Sequence, residues 1–172
     1  MEELLADYRV FRVVRTVEET DRGERERFVV RHPGAAVIVP ILDDGRVCLI
    51  ENYRIAVKKR LIELPAGTLE PGEGPLETAR RELAEETGYR ARSVESLGHV
   101  YSSPGVFDER MYLFLATGLT DGETALEVGE RIVTRLTPWR EALKLVHSGA
   151  IEDAKTVVGL LKAHAQGVFA GY

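Results

Sequence analysis

Cysteine is almost missing from this chain. Cys48 is the only one in 172 residues, which excludes an intramolecular disulfide and any metal site built from several thiolates. It lies in the apolar run Val47-Cys48-Leu49-Ile50, where a small buried filler is the expected role. Histidine is nearly as scarce. His32, His99, His147 and His164 show no metal-ligand spacing, and His147 and His164 fall in expected helices where a surface or packing role suffices. Basic charge is short as well: 23 Lys and Arg stand against 28 Asp and Glu, a net charge of −5. That balance argues against a nucleic-acid partner, since phosphate backbones select basic surfaces. A small anionic substrate stays open, because bound cations and a few local arginines can invert the field of an acidic protein.

Long apolar runs are also lacking, so no membrane span or membrane partner is expected. Met1–Asp7 has none of the regions of a signal peptide, and the cytoplasm is the expected address. There is no Gly-x-Ser-x-Gly elbow, no phosphate-binding P-loop, no internal repeat and no low-complexity tract. What is present is an ordinary globular composition, 44% hydrophobic and 30% charged, in a chain long enough to bury a real core as one domain.

Alternation and turn signals lay out the elements. Val10, Val13, Val14 and Val17, the polar stretch Glu18–Glu26, and Phe28-Val29-Val30 read as a hairpin. Pro33-Gly34 breaks the chain. Ala35–Leu42, the turn Asp43-Asp44-Gly45 and Arg46–Tyr53 predict a second hairpin. Arg54–Leu64 divides between an exposed loop at Lys58-Lys59-Arg60 and a short strand at Leu61–Leu64. Pro75 and Gly88 punctuate a helix at its first turn and its C-terminal cap, with Leu76, Ala79 and Leu83 as its buried stripe. Strands are expected at Val94–Val100, Met111–Ala116 and Ile132–Leu136. One helix starts near Thr137-Pro138, with Trp139, Ala142, Leu143 and Val146 on one face, and Gly149 ends it. A last helix over Glu152–Gln166 packs through Ala154, Val157, Val158 and Leu161. Strands and hairpins without a repeated βαβ rhythm predict an α+β (mixed α/β) fold, a mixed sheet between helices.

The Pro75–Thr87 helix carries the chemistry. Glu82 and Glu86 are four residues apart, one turn above each other, and Glu85 flanks the same face. Such carboxylates repel one another, and a hard divalent cation, which prefers oxygen ligands, would relieve them. Pairing with Arg80 and Arg81 on a solvated charged helix would do so too, and the helix alone leaves both readings open.

The longer pattern resolves more. Gly67, Glu73, Arg81-Glu82-Leu83, Glu85-Glu86 and Gly88-Tyr89 stand in the register of the Nudix box, and the chain resembles the Nudix hydrolase superfamily. Asn52-Tyr53-Arg54, Glu63-Leu64-Pro65-Ala66-Gly67 and Ser103-Pro104-Gly105 with Glu109 resemble segments of its ADP-ribose pyrophosphatase branch. Asn52 stands where glutamine is usual and Val106-Phe107 where a single aromatic is, and Pro104 falls fifteen residues after Tyr89. The resemblance spans about residues 28–165.

It implies a Nudix-type α/β/α sandwich over residues 34–172, preceded by an N-terminal antiparallel β element, residues 1–33, exchanged in a homodimer. It implies magnesium, with manganese as a substitute, on Glu82 and Glu86, joined by the carbonyl of Ala66 and helped by Glu85, which also counts among the catalytic residues. Arg81 would pair with the carboxylates and Glu73 would restrain the loop-to-helix geometry. Arg54 would clamp phosphate, with Tyr53, Pro104, Gly105 and Glu109 as further substrate-binding residues. The general base would be a loop glutamate: Glu130 first, Glu127 second, Glu123 a weaker third.

The implied reaction is hydrolysis of a nucleoside diphosphate sugar, ADP-ribose first, to AMP and ribose 5-phosphate. GDP-mannose or a dinucleotide polyphosphate would keep the chemistry and change the substrate. A nucleotide-sensing module is the rival from another class; such regulators carry an added DNA-binding domain, for which residues 137–172 are too short and too weakly basic. An isoprenyl diphosphate isomerase would need a catalytic cysteine, and Cys48 sits in a strand-like run.

Overall fold

The computed structural model describes residues 2–126 and 131–170. Ten strands and three helices follow one another among them: β1 (Glu2–Asp7), β2 (Arg12–Thr20), β3 (Gly23–Arg31), β4 (Ala35–Pro40), β5 (Arg46–Arg54), β6 (Lys59–Glu63), β7 (Ala66–Thr68), α1 (Pro75–Thr87), β8 (Arg90–Ser103), β9 (Phe107–Thr120), β10 (Val133–Pro138), α2 (Trp139–His147) and α3 (Ala154–Ala165). A seven-stranded mixed sheet runs β1-β2-β3-β9-β4-β7, with β8 antiparallel to β9, and a three-stranded sheet runs β10-β5-β6.

β4 is the middle of the molecule. Every one of its residues is buried, as expected of a strand covered on both faces, and its alternation divides the core in two. Ala36 and Ile38 join Phe114 and Ala116 of β9 under Ala79 and Leu83 of α1. Val37 and Val39 join Met111 and Leu113, with Val47 and Leu49 of β5, under Trp139 and Ala142 of α2 and Leu160 and Ala163 of α3. Helices therefore cover both faces of a mixed sheet, the α/β/α arrangement expected.

Several expectations need correction. The turn at Asp43-Asp44-Gly45 exists, with Gly45 at φ 79°, but its two strands are not a hairpin of one sheet. β4 pairs with β7 and β9 while β5 pairs with β6 and β10, and Ile41–Val47 is a single bridge between them. An unbroken run of six apolar residues can sit on either sheet, so the pattern did not reveal the parting. Lys59 and Arg60 belong to β6 rather than to a loop. β8 and β9 are longer than expected and close at a tight turn, where the Val106 N–H donates to the Ser103 carbonyl at 3.1 Å. On α1, Leu76 is exposed, and the buried stripe continues from Ala79 and Leu83 into Glu86 and Thr87 instead. On α3 Val157 and Val158 pack against the core as expected, but the buried residues are Thr156, Gly159, Leu160 and Ala163, while Ala154 and Leu161 are exposed. The N-terminal element has three strands, β1 included, and β3 meets the main sheet through one parallel pair, Val30 with Phe107. No helix among the described residues is long and apolar enough to cross a membrane.

Candidate active site

Two short segments meet at the start of α1. After β6 the chain turns through Leu64-Pro65 into β7, whose Ala66 and Gly67 pair with Val37 and Ala36 of β4. After β7, a loop returns to α1, which Pro75 opens and Gly88 closes at φ 78°. Glu77 accepts the Gly74 N–H at 2.9 Å, satisfying one donor at the helix start.

Glu73 and Arg81 lock the loop to the helix. Arg81 Nε and Nη2 each donate to Glu73 at 3.0 Å, and the Thr78 hydroxyl adds a bond at 2.8 Å. The Arg81 hydrogen bonds hold the Glu73 carboxyl down at about 2, against the opposing effect of burial and with help from Thr78 and the Glu70 N–H. The same guanidinium donates through Nη1 to Glu82 at 2.7 Å and to Glu85 at 2.9 Å, and through Nη2 to the Thr68 carbonyl at 3.3 Å. Its own pKa is raised, chiefly by Glu73 and then by Glu82 and Glu85, with burial opposing. Arg81 thus holds the acidic face together, as expected of it.

The three helix carboxylates lie at graded depth. Glu86 is buried, and its Oε2 accepts the Ala66 N–H at 2.9 Å. The Glu82 side chain is 13% exposed and that of Glu85 35%. Glu82 lies against Gly67 so closely that a Cβ there would fall on its carboxylate, which is the reason this position is glycine. The donor set is carboxylate oxygen, the chemistry that a magnesium-like cation prefers. Among the described residues no group of three or more acidic, histidine or cysteine side chains is arranged so that it could hold a metal ion by itself.

Arg54, at the end of β5, grips Glu63 with both arms: Nε to Oε1 at 2.8 Å and Nη2 to Oε2 at 2.6 Å. Those bonds raise its pKa; burial opposes, and the charges of Glu63, Glu86 and Asp153 add to the rise. Tyr53, the neighbour of Arg54, is exposed.

Pro104, Gly105 and Glu109 belong to a second neighbourhood. Pro104 and Gly105 are exposed in the β8–β9 turn. Glu109 on β9 approaches His32 Nδ1 at 3.8 Å, while that same nitrogen accepts the Gly34 N–H at 3.1 Å. Burial pushes the His32 pKa down, partly countered by Glu109 and Asp108, so the ring accepts as a neutral imidazole.

Glu127 and Glu130 lie outside the described residues. Glu123 is exposed, and the segment carrying it crosses the end of α1: the Ala125 N–H donates to the Glu85 carbonyl at 2.9 Å, and Gly122 abuts Gly88. Sequence reasoning missed Glu63 as a site residue, along with Lys155 and Thr156 of α3 behind it. A lone acid in Leu61-Ile62-Glu63-Leu64 was a usable signal for Glu63. Nothing local signals Lys155, 92 residues away.

Comparison with known proteins identifies the family. A NUDIX domain model matches residues 30–157. An ADP-ribose pyrophosphatase of Bacillus subtilis is 36% identical over 149 residues, covering 86% of this chain and 80% of the relative. A GDP-mannose pyrophosphatase of Cronobacter sakazakii is 36% identical over 166 residues, covering 86% of each. The crystal structure of an ADP compounds hydrolase superposes with a TM-score of 0.84 at 25% identity, over 99% of this chain and 94% of its own. With the matching model spanning most of its length and its acidic helix built as described, the chain belongs to the NUDIX domain family.

Proposed function

We propose that this protein is a Nudix pyrophosphohydrolase that cleaves the diphosphate of a nucleoside diphosphate sugar, with ADP-ribose the leading substrate and AMP and ribose 5-phosphate the products. The observation that carries the reading is the acidic helix itself: Glu82 and Glu85 bonded to Arg81, Glu82 set against Gly67, and Glu86 bonded to the Ala66 N–H.

Glu82 and Glu86, with Glu85 and the backbone at Ala66, would hold magnesium or manganese, which neutralises diphosphate charge and lowers the pKa of a bound water. Arg54 draws the anionic diphosphate to the site, since a guanidinium suits oxyanions. Glu130 first, and Glu127 second, takes the proton from the attacking water. Support for a base on that loop comes from Ala125, whose bond to the Glu85 carbonyl ties the segment to the helix end. Tyr53, Pro104, Gly105 and Glu109 are proposed to contact the remainder of the substrate. The N-terminal element, residues 1–33, is proposed to be exchanged in a homodimer and to complete the nucleoside pocket.

The test is product release. Purified protein with magnesium and ADP-ribose is expected to yield AMP, and Glu82→Gln with Glu86→Gln to cut kcat/KM by roughly 100-fold or more without unfolding. Full activity in that double variant sinks the metal assignment. The GDP-mannose pyrophosphatase relative makes GDP-mannose the second substrate for the same assay. Binding of either compound with no product formed would turn the reading to a sensing module.

A further inference from the structure

Glu63 ends β6 with its side chain fully buried, and a carboxylate survives there only when paired. Burial pushes its pKa up, but bonds from Arg54 and the charge of Lys155 outweigh that and hold it below the ordinary carboxylate value. The two cations come from different elements. Arg54 takes both oxygens from β5, and Lys155, in the first turn of α3, donates from Nζ to Oε2 at 2.5 Å.

Lys155 is itself shared, meeting Asp153 Oδ1 at 3.0 Å. Asp153 caps α3: its Oδ2 accepts from the Thr156 N–H at 3.0 Å and from the Thr156 hydroxyl at 2.6 Å. Thr156 Oγ1 in turn accepts the Leu64 N–H at 2.7 Å, so an alternating chain of charges closes back onto the residue after Glu63.

Exposure orders this chain. The Arg54 side chain is 42% exposed, that of Lys155 14%, and Glu63 is fully covered, so Arg54 is the member turned to solvent. Its grip on Glu63 uses the Nε–Nη2 edge, which fixes the guanidinium plane and leaves Nη1 outside the pair. Because Glu63 is paired with Lys155 as well, the cluster around Arg54 carries a more positive net charge than it would with that carboxylate facing Arg54 alone.

We propose that Lys155 is a positioning residue for Arg54, acting through Glu63: it sets the orientation of Arg54 and the net charge of the cluster that meets a substrate phosphate. The proposal rests on the phosphate role given to Arg54 above. The competing account is a plain tie between α3 and β6, which would affect folding but not the affinity for a diphosphate.

The full chain and its Lys155→Met, Lys155→Gln and Lys155→Arg variants are compared with ADP-ribose and magnesium, alongside thermal midpoints and the 15N-resolved arginine Nε–H spectrum. The Arg54 signal is identified by its loss in Arg54→Lys. Lys155→Met is expected to raise KM by about tenfold while kcat stays within about threefold, and Lys155→Arg to recover most of the loss. Lys155→Gln carries the comparison if Lys155→Met does not fold. An unchanged KM in the uncharged variant overturns the proposal, as does a loss that follows the thermal midpoint and is not recovered by arginine. If the wild type hydrolyses no nucleoside diphosphate, the functional reading fails and the Arg54 resonance decides the positioning alone. A shifted or broadened signal in Lys155→Gln then supports it, and an unmoved one overturns it.

Discussion

Gly67 and Glu82 share one small volume, the carboxylate filling the space a Cβ would take. Gly67→Ala therefore displaces Glu82 rather than merely stiffening β7. The expected result is a loss of kcat/KM of about tenfold or more, against a small change in thermal midpoint, because a displacement of about 1 Å can cost far more in chemistry than in folding. Wild-type activity in Gly67→Ala would show that Glu82 can move without consequence. Glu73 offers a pH test at the same scale. Its carboxyl drops from 4.5 to about 2 in the folded protein, so its contribution to stability is complete above 4.5 and disappears as pH falls toward 2. Urea midpoints of wild type and Glu73→Gln should thus differ most near neutrality, with the gap narrowing below about pH 4.5 and closing only as the pH approaches about 2. A constant gap across that range would mean that the Arg81 pairing does not stabilise the fold.

Among the elements, α3 buries a face that its reading gave only in part, and the reason is instructive. A helix rich in Ala, Val and Leu offers several apolar stripes, and periodicity could not choose among them. The choice is made by Leu64: its N–H bonds to Thr156, and a Cβ on Gly159 would come within 2.5 Å of its Cδ1. A polar threonine and a glycine therefore occupy the innermost face, where a hydrophobicity count looks last. Thr156→Val leaves the buried Leu64 N–H without its acceptor and is expected to cost about 1–3 kcal/mol, read by urea denaturation. Gly159→Ala gains about 1 kcal/mol in helix propensity but overpacks a fully buried leucine at about 1–3 kcal/mol, so the thermal midpoint should fall. A rise would mean that Leu64 has room to turn away.

Across the whole molecule, the N-terminal ribbon is the part least tied to the rest. β3 reaches the main sheet through one residue pair, and Leu4, Leu5 and Phe28 on the ribbon are exposed. Exposed apolar side chains on a weakly attached ribbon agree with the exchanged dimer proposed above. Light scattering is expected to give twice the chain mass, and Leu4→Glu with Phe28→Glu to shift the protein toward monomer with reduced turnover. A fully active monomeric wild type would reject the exchange.

The sequence by itself determined the acidic helix and its bounds, the N-terminal hairpin and the α/β/α layering. Each rests on local physics: the 3.6-residue period places Glu82 and Glu86 on one face, Pro75 and Gly88 punctuate the ends, and the fixed register of the box carries the family. Only the tertiary structure decided which sheet β4 and β5 each join, which face of α3 is buried, and that Arg54 is paired with Glu63 and backed by Lys155. Those outcomes depend on residues that meet across many positions of chain, Lys155 with Glu63 above all. Periodicity and motif spacing describe neighbours along the backbone; the cost of burying a lone carboxylate selects partners in space.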